Sequence, residues 1–421
     1  VKANKQVNVK EEDDSDDFSR EEPVRHISAA AALRIDTGSL EKRARRWSRR
    51  FTAYPDIHES EVVITITEST RYIATSEGTL LQIPRTWARL TVSGSTTAED
   101  GMQLDRFESV DVPDPGALST DAEFDRVVQE VIDDLLALRQ APITDPFVGP
   151  AILDGRAAGV YFHEIFGHRA EGHRQKDESE GQTFAKKIGE SIMPVFLDVY
   201  DDPSVSRVNG IDLAGYYPFD NEGVRARKAE LVKRGVFSGF LMSRSPTRGF
   251  ERSNGHGRRS NSHSVVARQA NLIVHPEYVV TREQLSEQLR AEVSRQKKPY
   301  GLRFTDVSGG YTTTTRRMTQ AFKVQPVMVY RVYPDGREEL VRGVDLEGTP
   351  LTSLSTILSA ADDFQVFNGI CGAESGYIPV SAVSPSLLLS QIEIARREKE
   401  QGRPPLLPAP PLAAGEARGG E

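Results

Sequence analysis

A chain of 421 residues, 38% hydrophobic and 27% charged, is long enough to bury a sizeable core and to form two domains rather than one. Its formal net charge of −8 disfavours nonspecific contact with nucleic acid, which needs Lys and Arg to displace counterions from phosphates. No run approaches the roughly 18 consecutive apolar residues of a membrane-spanning helix, and the single cysteine, Cys371, excludes intramolecular disulfides.

In chain order, residues 1–30 are polar and carry the acidic run Glu11, Glu12, Asp13, Asp14, Asp16 and Asp17. They lack the apolar content to bury anything, so an arm or linker is expected. The first residue is Val1 rather than Met, which points to a processed or truncated start. A lost signal peptide is the alternative to the cytoplasmic location otherwise expected.

An N-terminal α+β domain is expected over 31–145. It begins with a helix from Leu40 to Phe51, in which Lys42, Arg43, Arg45, Arg46, Arg49 and Arg50 interleave with Leu40, Ala44, Trp47 and Phe51 at helical spacing. That pattern reads as a solvated helix face. Strand signals follow at Val62–Thr67, Tyr72–Ala74, Leu80–Ile83 and Ala88–Ser93. A long amphipathic helix closes the domain: Phe124, Val127, Val128, Val131, Leu135 and Leu138 share one face, and Ser119, Thr120 or Asp121 can cap it. The segment from Pro142 to Pro150 reads as a boundary.

A β-rich, mostly antiparallel domain is expected over 146–400, opened by one short helix at about Arg156–Arg169. Phe196–Tyr200 reads as a strand and Val232–Met242 as a hairpin around Arg234 and Gly235. Val327–Tyr333 pairs with Glu338–Val344 across the Pro334-Asp335-Gly336 turn. Residues 401–421, with Pro404, Pro405, Pro408, Pro410 and Pro411, read as a disordered tail. The fold class is therefore α+β, an N-terminal α/β domain followed by a β-rich antiparallel one, with the short helix between them.

That helix carries Tyr161-Phe162-His163-Glu164-Ile165-Phe166-Gly167-His168. Neutral imidazole is a good ligand for Zn²⁺, and an adjacent carboxylate can take a proton from a water whose pKa the metal has lowered to about 7. In the spacing His-Glu-x-x-His the two rings stand about 40° apart around a helix. Here the histidines are one residue further apart, which on a regular helix turns the rings about 140° from each other. The pattern therefore predicts an i→i+5 bulge, a kink or a helix end near Gly167.

Catalytic zinc commonly takes three protein ligands. Cys371, between glycines in Asn368-Gly369-Ile370-Cys371-Gly372, is the preferred third ligand, and His173 is its rival; the plain alternative for Cys371 is a buried small hydrophobe. The Gly255-His256-Gly257 fragment lacks the strand-to-helix setting of a phosphate loop, so a mobile loop is expected there. Within that loop Arg258, Arg259 and His263 are candidates for binding a peptide carbonyl or carboxylate, with plain solvation as the alternative. Gly309 and Gly310 lead into a β-prone strand from Tyr311 that, at a sheet edge, pairs with a substrate backbone.

The run from Gly155 to Gly172, Asn368-Gly369-Ile370-Cys371-Gly372, and the segments Ser76-Glu77-Gly78, Asp220-Asn221-Glu222-Gly223, the loop from Gly255 to Asn271 and Ser308-Gly309-Gly310 together resemble the TldD/TldE (PmbA) peptidases, once described as modulators of DNA gyrase. The resemblance covers roughly residues 35–395, and its motif, His-Glu-x-x-x-His with a downstream Cys, matches His163, Glu164, His168 and Cys371. It implies an active, zinc-dependent peptidase of the TldD type. Glu164 is then the general base and the substrate an unfolded peptide or protein, within a homodimer or a heterodimer with a related subunit. A non-catalytic, zinc-stabilised peptide-binding or regulatory module is the alternative; nucleic acid is not an expected partner.

Overall fold

The computed structural model describes residues 15–30, 33–118, 120–176, 180, 183–184, 186–315 and 321–397. Glu11 to Asp14 of the acidic run, the candidate cap Ser119 and the Pro-rich tail lie outside the described residues.

The N-terminal helix runs over Thr37–Arg49, with Asp36 accepting from the Ser39 amide at 3.0 Å. Its basic face is not merely solvated. Arg43 and Arg46 reach Asp121 at 2.7 and 2.5 Å, Arg50 reaches Asp125, and Arg43 and Arg46 both lie over the Trp47 ring. The stripe thus joins this helix to the helix Asp121–Gln140. Beneath the pair, Trp47, Phe51, Phe124, Val128, Val131 and Leu135 form one core with Leu90 and Val92 of the sheet.

The four expected strands between Val62 and Ser93 merge into a single long hairpin, Ile57–Ala74 and Leu80–Thr97. Pro84 hid the continuity. It is tolerated because it falls between the stretch that pairs with Arg25–Ile27 and the stretch that pairs with Gln103–Val112, where the strand is paired on one side only. Of the stretch expected as an arm, residues 15–30 lie against the molecule. Arg25–Ile27 adds a parallel strand, and buried Ser19 accepts from Arg244 through its carbonyl. Backbone hydrogen bonding and ion pairs hold this polar segment where apolar content could not.

Beyond residue 146 the described residues form two large sheets with a helix between them, besides two short two-stranded ones. In the first, Gly301–Thr312 pairs with Phe147–Leu153, which pairs with Leu387–Arg396, then Val344–Gly348, then Phe322–Val332. The last pairs back onto Gly301–Thr312, so the sheet closes on itself. The second runs Val236–Phe237, Ala229–Lys233, Leu197–Asp201, Asn271–Pro276, Gly376–Ser384, Gln365–Ala373. Pairing is mostly antiparallel, as expected, but Gly301–Thr312 with Phe147–Leu153 and Asn271–Pro276 with Gly376–Ser384 are parallel. The hairpin turn at Arg234-Gly235 has positive φ at both residues, the backbone of a tight turn between strands. The chain is α+β with a strand-rich C-terminal part.

The helix Gly155–Ile165 packs against Gly301–Thr312 on one side and Gly376–Ser384 and Gln365–Ala373 on the other. Covered from both sides, it has buried residues all the way round, from Ala157 to Ile165. That accounts for apolar Val160, Phe162 and Ile165 pointing in different directions.

Candidate metal and peptidase site

The buried helix ends at Ile165. Phe166 leaves helical geometry at φ −120°, ψ −54°, and Gly167–Ala170 continues as a 3₁₀ turn. The extra residue between the histidines is absorbed by this change of pitch. His163 sits in the last α-helical turn and His168 in the 3₁₀ turn, with ring centroids 4.8 Å apart. Gly167 has no positive φ. Its role is a close approach: a Cβ there would lie 1.8 Å from Oε1 of Gln269, which is buried. Gln269 in turn donates to the His163 carbonyl at 3.3 Å. Arg169 serves the broken helix end, donating to the carbonyls of Glu164 at 2.8 Å and Ile165 at 3.3 Å.

Cys371 arrives from Gln365–Ala373, the last strand of the second sheet. Its Sγ lies 3.2 Å from His163 Nε2 and 3.4 Å from His168 Nε2. Two nitrogens and a sulfur bound to one tetrahedral ion at about 2.0–2.3 Å stand roughly 3.5 Å apart, so this donor set fits a zinc-sized cation. Burial raises the thiol pKa, yet the two imidazoles outweigh it and hold Cys371 well below the usual thiol range. Burial likewise works against a charged His168, but Cys371 and Glu171 hold its pKa well above the ordinary imidazole value.

Glu164 is buried, and burial raises its carboxyl above the usual range against the pull of His163 and His168. Its Oε2 has no hydrogen-bond partner among the described residues. Space for its side chain depends on Gly310, where a Cβ would fall 2.7 Å from Glu164 Cγ and 2.8 Å from the Lys323 carbonyl. The cluster opens on a cavity of about 590 Å³ lined by His163, Glu164, His168 and Cys371. Two strand segments also line it, Ser308–Thr312 and Phe367–Ala373. Among the described residues neither has a strand on its outer edge: Gly301–Thr312 is flanked by Phe147–Leu153 only as far as Phe304, and Gln365–Ala373 ends its sheet.

Of the other candidates, Gly309, Gly310 and half-exposed Tyr311 line this cavity. Arg258 and His263 do not. Arg258 is buried with its guanidinium donating to the carbonyls of Gln269 and Pro379. His263 is held by Ser260 and Asn261 at the surface. Their segment is not a loose loop either: His256 is fully buried with its Nε2 3.2 Å from Asp201, and Gly257–Arg258 pairs with Val266–Ala267. Buried backbone carbonyls take the Arg258 charge that a substrate was expected to meet. His173 pairs with Glu374 instead of joining the cluster.

Three residues that the sequence reading passed over complete the surroundings. Glu171 receives His168 Nδ1 at 3.3 Å. Arg174 donates to Glu171 at 2.9 Å, and Arg268 donates to the Cys371 sulfur at 3.1 Å. Glu171, three residues after His168, was open to inference as the partner of a ligand imidazole. Arg268 carries no local signal, since only the fold brings it to Cys371.

Residues 148–396 match the family described as PmbA/TldA metallopeptidase C-terminal domain. Among curated relatives, an Archaeoglobus fulgidus metalloprotease is 28% identical over 238 residues, covering 56% of this chain and 51% of that protein. A Saccharolobus solfataricus protein named zinc metalloprotease TldD homolog is 24% identical over 247 residues, covering 58% and 51%. The chain spans about half the length of these relatives. Similar solved folds include a Thermotoga maritima protein described as a candidate modulator of a DNA gyrase, at TM-score 0.65, 15% identity and coverage of 89% and 80%. TldE from Thermococcus kodakarensis follows at 0.60, 15%, 85% and 73%. With a family match across more than half its length, the chain belongs to the PmbA/TldD metallopeptidase family.

Proposed function

We propose that this protein is a zinc-dependent peptidase that hydrolyses unfolded peptides, with His163, His168 and Cys371 as ligands and Glu164 as general base. The observation that carries this reading is the pairing of a three-donor cluster with an adjacent buried carboxylate whose Oε2 has no partner among the described residues, all opening on one cavity. Zinc held by these donors supplies a Lewis acid and water of lowered pKa. The other steps fall to the chain. Glu164 takes the proton of the attacking water as the C–O bond forms, then delivers it to the leaving nitrogen as the C–N bond breaks. Burial, which raises its carboxyl above the usual range, makes it a stronger base than an exposed carboxylate.

The two strand edges bordering the cavity support an extended peptide as substrate. Such edges offer unpaired backbone amides and carbonyls, which bind main chain and hence accept many sequences. Gly309 and Gly310 keep that edge free of side-chain bulk, and Tyr311 flanks it. The reading includes a cytoplasmic setting and a dimer, of this chain with itself or with a related subunit. No helix among the described residues is long and apolar enough to cross a membrane.

A zinc-stabilised binding module is the weaker alternative. A structural site closes with four protein ligands and needs no general base, whereas among the described residues the cluster has three donors and Glu164 stands beside them. Glu164→Ala separates the two: it should keep the fold and the zinc yet lose peptide cleavage by about 10²-fold or more. Cleavage of a peptide panel at the parent's rate would rule out the proposed chemistry.

A further inference from the structure

Behind the three donors lies an ionic bridge that touches two of them. Arg268, fully buried, spreads its guanidinium over four acceptors from one strand turn: the Cys371 sulfur at 3.1 Å, the Cys371 carbonyl at 3.0 Å, Ser375 Oγ at 2.8 Å and the Gly376 carbonyl at 3.3 Å. Its Nε lies 3.3 Å from Glu171 Oε1. Glu171, also fully buried, faces His168 Nδ1 with the same oxygen at 3.3 Å. The path from sulfur to imidazole is continuous: Cys371 Sγ, Arg268, Glu171, His168 Nδ1. Arg174 meets Glu171 from the other side at 2.9 Å, but it shares its charge with Glu180 and Glu374 at 3.1 Å each.

We propose that Arg268 and Glu171 are positioning residues that act on the metal through its ligands in opposite senses, Arg268 withdrawing charge from the Cys371 sulfur and Glu171 adding basicity to the His168 imidazole. The inference rests on the zinc reading above. Its physical reason is charge balance in a dry site. Arg268 is the cation that meets the Cys371 sulfur, and Glu171 is the carboxylate that meets His168 Nδ1, so a charge of opposite sign stands behind each of these two ligands. An N–H donor on a thiolate lowers the electron density the sulfur offers a metal, which keeps a thiolate-ligated ion electron-poor enough to polarise a carbonyl. A carboxylate behind an imidazole fixes its tautomer, so that Nδ1 carries the proton and Nε2 faces the metal, and it strengthens the ligand. The two buried charges form an ion pair at 3.3 Å, though Arg268 Nε and Glu171 Oε1 make no hydrogen bond.

The test uses the full chain loaded with Co²⁺ in place of zinc, read by absorption, together with the zinc affinity of each variant. In the parent, a near-ultraviolet sulfur-to-cobalt charge-transfer band reports the Cys371 bond. Arg268→Met should move that band to longer wavelength, because the sulfur electrons are no longer held down by an N–H donor. Arg268→Lys, which keeps a cationic donor, should move it less. Glu171→Gln should leave the band in place but weaken zinc binding by roughly 10–100-fold, the scale of losing a partner behind a ligand. If Arg268→Met fails to fold by circular dichroism, the Lys variant and the Glu171 variant carry the test. An unmoved band in both Arg268 variants that fold, or a band that moves as far in Glu171→Gln, overturns the division of roles while leaving the peptidase reading intact. A parent that binds Co²⁺ without any sulfur band, or binds none, overturns both.

Discussion

Two helices of this molecule are built on opposite terms. Asp121–Gln140 carries a full capping box, Thr120 accepting from the Glu123 amide and Glu123 from the Thr120 amide, and it buries one face against the long hairpin. Gly155–Ile165 has Asp154 at its N-cap, yet that carboxylate makes no cap bond. It pairs with Arg303 and Arg282 instead. Every side of the helix is covered, and its far end breaks into a 3₁₀ turn. The first helix is held by its own sequence, with local signals and packing in agreement. The second is held by the sheets around it. An arrangement of that kind can keep two imidazoles and a carboxylate buried at positions that helical regularity alone would not favour.

If the comparison holds, damage to the first helix costs stability and spares the chemistry, and damage beside the second does the reverse. The largest effect is expected from Phe124→Ala, which removes the edge contact with Trp47 at 4.5 Å from a fully buried position. It should lower unfolding free energy by about 3–5 kcal/mol in urea titration, with the folded fraction still cleaving peptide at the parent's rate. Gly310→Ala should show the converse. The added methyl presses on Glu164 Cγ and on the Lys323 carbonyl, so kcat should fall by about 10²-fold with a smaller loss of stability than in Phe124→Ala, while zinc content stays the same. Smallest is Thr120→Ala, expected to cost about 1 kcal/mol with no change in cleavage or metal. A Phe124→Ala protein that is folded yet inactive would break the separation between the two regions.

The same contrast explains what could be seen from the residues alone. The face from Phe124 to Leu138 was legible, and its cap was narrowed to Ser119, Thr120 or Asp121, of which Thr120 is the one that forms, because period and cap are local properties. So was the break in the helix between His163 and His168, since a one-residue excess of spacing already implies a change of pitch near Gly167. The continuity of the long hairpin was not, because whether Pro84 interrupts a strand depends on which neighbours pair beside it. Arg258 was misleading for a related reason: a basic residue in a glycine-bearing segment looks available until the fold supplies the carbonyls of Gln269 and Pro379, while His263 stays at the surface away from the cavity. Arg268 was invisible, since nothing within a few residues of it marks a partner for Cys371.

The central claim is that His163, His168 and Cys371 together hold one catalytic zinc, and metal analysis of purified protein tests it most directly. The account predicts about one zinc per chain in the parent and in Glu164→Ala, with loss of that metal in His163→Ala and in Cys371→Ser. Stoichiometric zinc in a protein lacking all three of these side chains would contradict it.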